Sequence, residues 1–397
     1  MKRNFFVKAC FFLAVFVSIL LSACSSGSSS SSSPETGAIS PKRVSISGLE
    51  ASEHLGYSLA IYGDTAVVGS GAQIGSVYIL TKAANGTWQQ EEKLTSGAST
   101  TDYFGCSVAA YEDTIVIGAS DYGDASMDGA VFVYTKSGGS WVQEAVLSGS
   151  DTTGGDYFGT SVGIYDDTIV VGAWGDGDKK GAAYVFSKAS GGTWSQTAKL
   201  TASDGVAKDR FGVAAAIYDG TIAVSSFYDD DNNEKDSGSV YIFTGTSGTW
   251  SQSEKLTAED DATAYAYFGN AISIYGDTMA IGSRNGDRAY IFTKNNGSWS
   301  RQAKLVPDGG TVSDFGKSIC LYDDSLIVGA CTDSVSNPGS IYLFTRSGSN
   351  WNQDAYFTES AGKFAFSVAL YDGAALIGAS GDDEAAQDAG AVFYYNE

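Results

Sequence analysis

Carboxylates are the residues of this chain best placed to do chemistry. They crowd into Gly- and Asn-containing stretches: "SDYGDASMDG" with Asp121, Asp124 and Asp128; "WGDGDKKG" with Asp176 and Asp178; "FYDDDNNEKDSG" with Asp229, Asp230 and Asp236; "SGDDEAAQDAG" with Asp382, Asp383 and Asp388. Oxygen ligands on a bendable loop are what Ca²⁺ requires, so calcium is the one cofactor these stretches suggest. Asp121, Asp124 and Asp128, with Asp176 and Asp178, are the foremost metal candidates. None of the stretches completes the twelve-residue calcium pattern, and Asp side chains serve equally to close turns and keep loops solvated. Paired carboxylates could also hydrolyse a glycoside. The acids, however, recur from stretch to stretch, whereas catalysis needs one asymmetric constellation. With a single histidine, His54, a Ser-His-Asp triad or a His-rich metal site has almost nothing to work with. The expectation is a protein without catalytic residues.

Charge narrows the partners. The 397 residues hold 24 Lys and Arg against 46 Asp and Glu, a net charge of −22. Such a charge repels nucleic acid and anionic lipid head groups. The chain starts "MKRNFFVKACFFLAVFVSILLSAC", a basic start followed by an apolar run that is short for a membrane span, which is the pattern of an export signal. Leu21-Ser22-Ala23-Cys24 resembles the lipobox of bacterial lipoproteins. That resemblance implies a signal peptide over residues 1–23, cleavage before Cys24 and acylation of Cys24, with residues 24–40 as a Ser-rich tether. Several acyl chains on one residue anchor stably, so the membrane is expected as a partner through Cys24 alone. Ser25 after the cysteine points to the outer membrane if the host is Gram-negative. Cys106, Cys320 and Cys331 then remain, read as unpaired small residues of strands and strand ends, with no metal-type spacing.

The elements that must carry the acids repeat. Units begin at Leu55, Phe104, Phe158, Phe211, Phe268, Phe315 and Phe364, about fifty residues apart, the range of propeller blades. Within the second unit "SVAAY", "TIVIGA", "GAVFVYT" and "WVQEAVL" are short runs rich in Val, Ile and aromatics, each reading as a strand. The first two are joined by Glu112-Asp113, in register with Asp166-Asp167, Gly276-Asp277 and Asp323-Asp324, the two-residue link of a tight hairpin. Four antiparallel strands written seven times predict an all-β, seven-bladed propeller over residues 41–397. The last unit stops at "GAVFYYNE" without a fourth strand, and "RVSISG", with Val44 and Ile46 alternating with serines, is the strand expected to close the ring. Small residues of the first strand, Ser107 and Ala109, Ser161 and Gly163, Ser318 and Cys320, Ser367 and Ala369, are expected to crowd around the axis. Val108, Val162, Ile319 and Val368 on its other face should pack between blades. Trp88, Trp141, Trp194, Trp250, Trp299 and Trp351 recur at one fourth-strand position, which favours packing between blades over a ring for sugars.

Phe104-Gly105 with Gly118-Ala119, Phe158-Gly159 with Gly172-Ala173, and Phe315-Gly316 with Gly329-Ala330 resemble the FG-GAP repeat of integrin α-subunit propellers and of many bacterial surface proteins, whose bacterial branch these units suit best. Integrin units hold calcium between the first two strands. Here that link is only a tight turn, so that site does not carry over. The acids lie instead in the links from second to third and from fourth to first strand, which emerge on one side of the disc. Lys82, Lys136, Lys188, Lys294 and Arg346 follow the third strand on the other side, predicting a polarised disc. The resemblance implies a monomeric binding or adhesion module with a protein or glycan ligand on the acidic face. The alternatives are a periplasmic scaffold for envelope proteins and a carbohydrate-active hydrolase.

Overall fold

The computed structural model describes residues 40–97, 102–120, 128–189, 191–230, 234–246, 248–332 and 338–396. Seven four-stranded antiparallel sheets account for them, six of them meanders in chain order and the seventh completed from the chain start. In the first blade the strands are Leu55–Tyr62, Thr65–Ser70, Val77–Lys82 and Trp88–Leu94. The first strands of the seven blades, from Leu55–Tyr62 to Phe364–Tyr371, surround an apolar axial cavity of about 240 Å³ to which every one of them contributes side chains. They are therefore innermost, and the Trp-bearing fourth strands are outermost.

The core is distributed between the blades. Seven hydrophobic clusters each join two neighbouring sheets. Val67, Val77 and Ile79 of the first blade, for example, pack with Phe104, Ile115, Ile117 and Trp141 of the second. The phenylalanines that open the second to seventh units are all fully buried. Trp88, Trp141, Trp194 and Trp299 are buried and Trp250 and Trp351 half-buried within these clusters, so the tryptophans do pack between blades.

Of the repeated small residues expected at the axis, Ala109, Gly163, Cys320 and Ala369 do line its cavity, whereas the serines have a different role. Ser107 does not crowd the axis; its hydroxyl donates to the Gly159 carbonyl of the next blade at 2.7 Å. Ser58, Ser161, Ser318 and Ser367 do the same to Gly105, Gly212, Ala365 and Gly56. Gly172 belongs to the same joint, since a Cβ there would overlap the Gly212 carbonyl oxygen and the Ser161 hydroxyl. Val162, Ile319 and Val368 pack in the clusters between blades, as expected of that face of the strand, and Val108 is half-buried against them.

The ring closes through the chain start. Lys42 pairs with Tyr394 and Arg43 with Phe393, making Lys42–Arg43 the fourth strand of the seventh sheet. Val44 continues the ladder by donating to the Val392 carbonyl at 2.8 Å and is buried. This strand starts and ends earlier than "RVSISG" suggests, because the chain then turns to the first blade, where the Ser47 N–H donates to Gln90 Oε1 at 2.9 Å. The residue after an outer strand makes the same bond in other blades, Ser150 to Gln196, Ser203 to Gln252 and Asp308 to Gln353. The N-terminal segment thus behaves as a full outer strand.

Cys106, Cys320 and Cys331 are free thiols, the first two half-buried and the third buried.

Candidate functional site

The acids of the loop face are built into a recurring joint. In the third, fourth and seventh blades the glycine before the third strand donates its N–H to the carbonyl of Asp176, Asp229 or Asp382. In the fourth and seventh, Asp230 and Asp383 close the loop by accepting the N–H of Asp236 (2.8 Å) and Asp388 (2.6 Å). Asp178, Asp236 and Asp388 hold left-handed backbone, which Asp tolerates better than most residues, and their carbonyls accept from the link into the next blade. Part of what made these stretches look like metal loops is the turn chemistry that stitches neighbouring blades.

The carboxylates that face inward meet the chain's own cations. Asp176 accepts from Lys199 Nζ at 2.6 Å and from the Tyr184 hydroxyl at 3.0 Å. Lys255 Nζ lies 2.8 Å from Asp229 and 2.9 Å from Asp204. Burial works against the Lys255 ammonium, yet its bonds to Asp229 and Asp204 outweigh it and push the pKa up. Asp382 takes both ends of the Arg43 guanidinium at 2.9 and 2.7 Å. In the first blade Glu53 accepts from Lys93 at 2.9 Å and from Tyr78 at 2.8 Å. Burial pushes the Glu53 pKa up, but bonds from Ser76, Lys93, the Glu50 N–H and Tyr78 prevail and hold it below the usual range. The lysine of the "KLT" ending supplies the cation in each blade that has a lysine there. Sequence reasoning missed this partnership, although the lysine's fixed distance from the tryptophan marks it.

Asp121 and Asp124 lie outside the described residues, and Asp128 stands at their border. Among the described residues no group of three or more His, Cys, Asp or Glu is arranged to hold a metal ion. Cys24 also lies outside the described residues.

Asp209 differs from the other acids. It is buried, its carboxylate accepts the Val206 N–H at 2.7 Å, and its pKa is raised to about 6 by burial, with Asp229 and Asp230 adding to the effect. Asp102, by contrast, receives the Phe104 N–H at 3.0 Å and the Ser96 hydroxyl.

The other face is not the basic surface expected. Lys82, Lys136, Lys188, Lys294 and Arg346 each donate a backbone N–H to the acid of the first hairpin, Asp64, Asp113, Asp167, Asp277 and Asp324. The side chains of Lys136, Lys188, Lys294 and Arg346 are also engaged. Lys136 meets Glu91 at 3.0 Å and Lys188 meets Glu144 at 2.8 Å across the blade boundary, and Arg346 meets Asp324 at 2.5 Å. The hairpin turns return more acids to this face than the third strands bring bases, so this face is not a basic surface.

Recognition chemistry gathers elsewhere, at the residue before each unit's first hydrophobic anchor. His54, Tyr103, Tyr157, Arg210, Tyr267, Asp314 and Lys363 all hold left-handed backbone, φ running from 51° at Tyr103 to 59° at Asp314. Four of them donate their N–H to a carbonyl of the preceding blade's loop, His54 to Asp388, Tyr103 to Gln73, Arg210 to Lys179 and Tyr267 to Asp236. The backbone is one and the side chains are many. Around the third to fifth blades they form a continuous arc. Tyr157 stacks on Trp174 at 4.2 Å and 10°, and Arg210 lies 4.6 Å from Trp174 and 4.3 Å from Tyr228. Tyr228 in turn meets Tyr267 at 5.2 Å, and Arg284 covers Tyr267 at 5.7 Å. Across the mouth, Lys317 lies over Phe366 at 5.2 Å and Tyr57 meets Phe366 at 4.9 Å. A cavity of about 270 Å³ opens there, lined by Tyr57, Gly71, Tyr103, Cys106, Ser120 and Thr160. Aromatic faces interleaved with cations offer stacking and charge-assisted contacts.

A ring of seven four-stranded antiparallel blades defines this molecule as a β-propeller. The FG-GAP repeat matches residues 88–134, 141–186, 194–243, 250–298 and 299–344, more than half of the chain, which therefore belongs to the FG-GAP repeat family. Each matched segment starts on an outer strand, and four of the five end on the third strand of the next blade, one strand out of phase with the sheets; the last blade likewise ends on its third strand and is completed by the chain start. No curated protein matches the chain significantly. Among solved structures, the crystal structure of Sqt1 from Saccharomyces cerevisiae aligns over 90% of this chain and 100% of its own with a TM-score of 0.51 at 11% identity, a likeness of fold alone.

Proposed function

We propose that the chain is a lipid-anchored binding or adhesion module of a bacterial envelope, taking a protein or glycan ligand at the rim of the loop face. The observation that carries this reading is the set of seven left-handed positions, from His54 to Lys363, where an identical backbone presents different side chains. A rigid scaffold with variable exposed loop residues is the arrangement recognition proteins use. The acids at this face belong to loop joints and ion pairs, which speaks for binding rather than hydrolysis. Cys24 supplies the anchor and the serine-rich segment the reach, placing the propeller at the outer membrane in a Gram-negative host.

The test compares the soluble propeller, residues 41–397, with Tyr103→Ala/Tyr157→Ala/Tyr267→Ala on arrays of immobilised glycans and peptides. The wild type should retain at least one ligand class that the variant loses while its melting temperature stays close to wild type. Retention unaffected by the triple change would overturn the rim as the site. For the anchor, fatty-acid label should be absent from Cys24→Ser, and protease added to whole cells should remove the propeller if it faces outward.

A further inference from the structure

One gap between blades lacks a part that four others have. In the second, third, fifth and sixth blades the residue paired with the tryptophan is a cation lying over its ring: Lys136 on Trp141 at 5.4 Å, Lys188 on Trp194 at 5.6 Å, Lys294 on Trp299 at 5.9 Å and Arg346 on Trp351 at 5.8 Å. Where these cations extend further they reach the threonine that opens the second strand of the preceding blade. Lys294 donates to Thr221 Oγ1 at 3.3 Å and Arg346 to Thr278 Oγ1 at 2.9 Å. In the fourth blade the residue paired with Trp250 is Gly245. A cavity of about 520 Å³ opens at that place between the third and fourth blades. Its walls include Trp250, Thr168, Asp166, Asp167 and Asp219. Thr168 stands where Thr221 and Thr278 stand, and Trp250 is half-buried where Trp299 is buried. The ring plane and the threonine of other gaps are thus present, with the turn carboxylates Asp166, Asp167 and Asp219 beside them, while Lys188, which also lines the cavity, is engaged with Trp194 and Glu144.

Gly245 is not a free choice of residue. A Cβ there would overlap the Thr249 carbonyl oxygen, so this hairpin excludes the lysine as the fold stands. We propose that the pocket between the third and fourth blades binds an alkylammonium or guanidinium group carried by a partner polypeptide, which takes the place of the missing lysine over Trp250. The group would donate to Thr168 Oγ1 and to the Asp166, Asp167 and Asp219 carboxylates. A polypeptide source fits a cavity several times larger than an ammonium group alone, leaving room for the residues that carry it. The pocket lies on the hairpin face, away from the loop rim, so its failure would leave the proposed rim site untouched.

The experiment titrates the soluble propeller with a fluorescent peptide bearing one central lysine, against the same peptide with norleucine there. The lysine peptide should bind more tightly. The preference should weaken with added salt. Trp250→Leu should reduce it by roughly 5-fold, in line with an exposed cation–π contact. Asp219→Asn should lower it as well, while Asp372→Asn, the corresponding turn residue of the seventh blade, should leave it unchanged. Butylamine that competes with the peptide upholds the class of group. Butylamine binding as tightly as the peptide would overturn the polypeptide as its source. Equal binding of lysine and norleucine peptides, competition by a neutral sugar instead of butylamine, or indifference to both Trp250→Leu and Asp219→Asn in folded variants would overturn the proposal.

Discussion

The two faces of the disc repeat in opposite ways. On the hairpin face the side chains themselves recur. Tyr62, Tyr111, Tyr165, Tyr218, Tyr275, Tyr322 and Tyr371 form an unbroken collar, each ring 4.7–5.3 Å from the next, with Tyr62 closing onto Tyr371 at 5.1 Å. On the loop face only the backbone recurs, and the side chains at the left-handed positions run through His, Tyr, Arg, Asp and Lys. Where each residue packs on its own copy in the next blade, a change in one unit must be matched in its neighbours. Where the residue projects from a loop held by backbone bonds, one unit can change alone. Structure thus constrains the collar and leaves the rim free to vary.

The comparison breaks most severely if closure fails. Deleting residues 42–48 removes the burial of Val44, about 1.5–3 kcal/mol. It also strips Arg43 from the buried Asp382, where loss of one partner of a buried pair costs about 3–5 kcal/mol. The deletion should lower the melting temperature sharply and loosen both faces at once, which hydrogen exchange would register in the first and seventh blades. A variant melting with the wild type would show that the ring does not depend on this strand.

A smaller effect is expected at the joint between blades. Gly172→Ala places a methyl group against the Gly212 carbonyl and should destabilise by about 1–3 kcal/mol, as overpacking does. Gly191→Ala, at a position with open space around it, should be nearly neutral in the same denaturant titration. Equal midpoints for the two variants would mean that the joint can relax.

These joints mark the limit of what the sequence discloses. Strand periodicity, the tight link between Tyr111 and Thr114, the fixed tryptophan and the missing last strand were all legible, because each is a local pattern or a count. That Ser107 bonds to Gly159, or Gln196 to Ser150, was not. Such contacts join residues about fifty positions apart, and their geometry is set by how one sheet docks on the next. The same limit led Asp176, Asp229 and Asp382 to be grouped as metal candidates, since Lys199, Lys255 and Arg43 lie on other strands. The rim could be glimpsed only at His54, as a position that varies between units. The left-handed backbone that unites it with Lys363 leaves no mark in residue type.

The loop face also contains a titratable weak point. The Asp209 carboxyl is raised from 3.8 to about 6 in the folded chain, chiefly by burial. A raised folded pKa favours the protonated form in the native state, so its stabilising contribution is complete below the unfolded value and lost as pH rises through about 6. Asp209→Asn, which keeps an oxygen for the Val206 N–H, should therefore gain about 2 kcal/mol over wild type at pH 8 and nothing near pH 3.5. Melting curves of the two proteins that stay parallel across this range would place the carboxyl in a wetter setting.

The smallest expected effect concerns calcium, and the ion pairs sharpen where to look for it. The outer-strand lysine that neutralises loop acids in the third, fourth and fifth blades is replaced in the second by Val146, paired with Phe132 and half exposed at 51%. The acids Asp121, Asp124 and Asp128 thus belong to a blade with no ammonium at that position, while Asp176 and Asp229 already have one. If an ion stabilises the propeller, it should do so through the second blade. After chelation, Ca²⁺ at ten times its dissociation constant should then add about 1.4 kcal/mol. Mg²⁺ at matched ionic strength should add less, because a bendable oxygen site suits the larger ion. The excess should vanish in Asp121→Asn/Asp124→Asn/Asp128→Asn and survive Asp229→Asn. Equal responses to the two ions would reduce the effect to screening of the protein's negative charge and return these acids to the role of solvated turns.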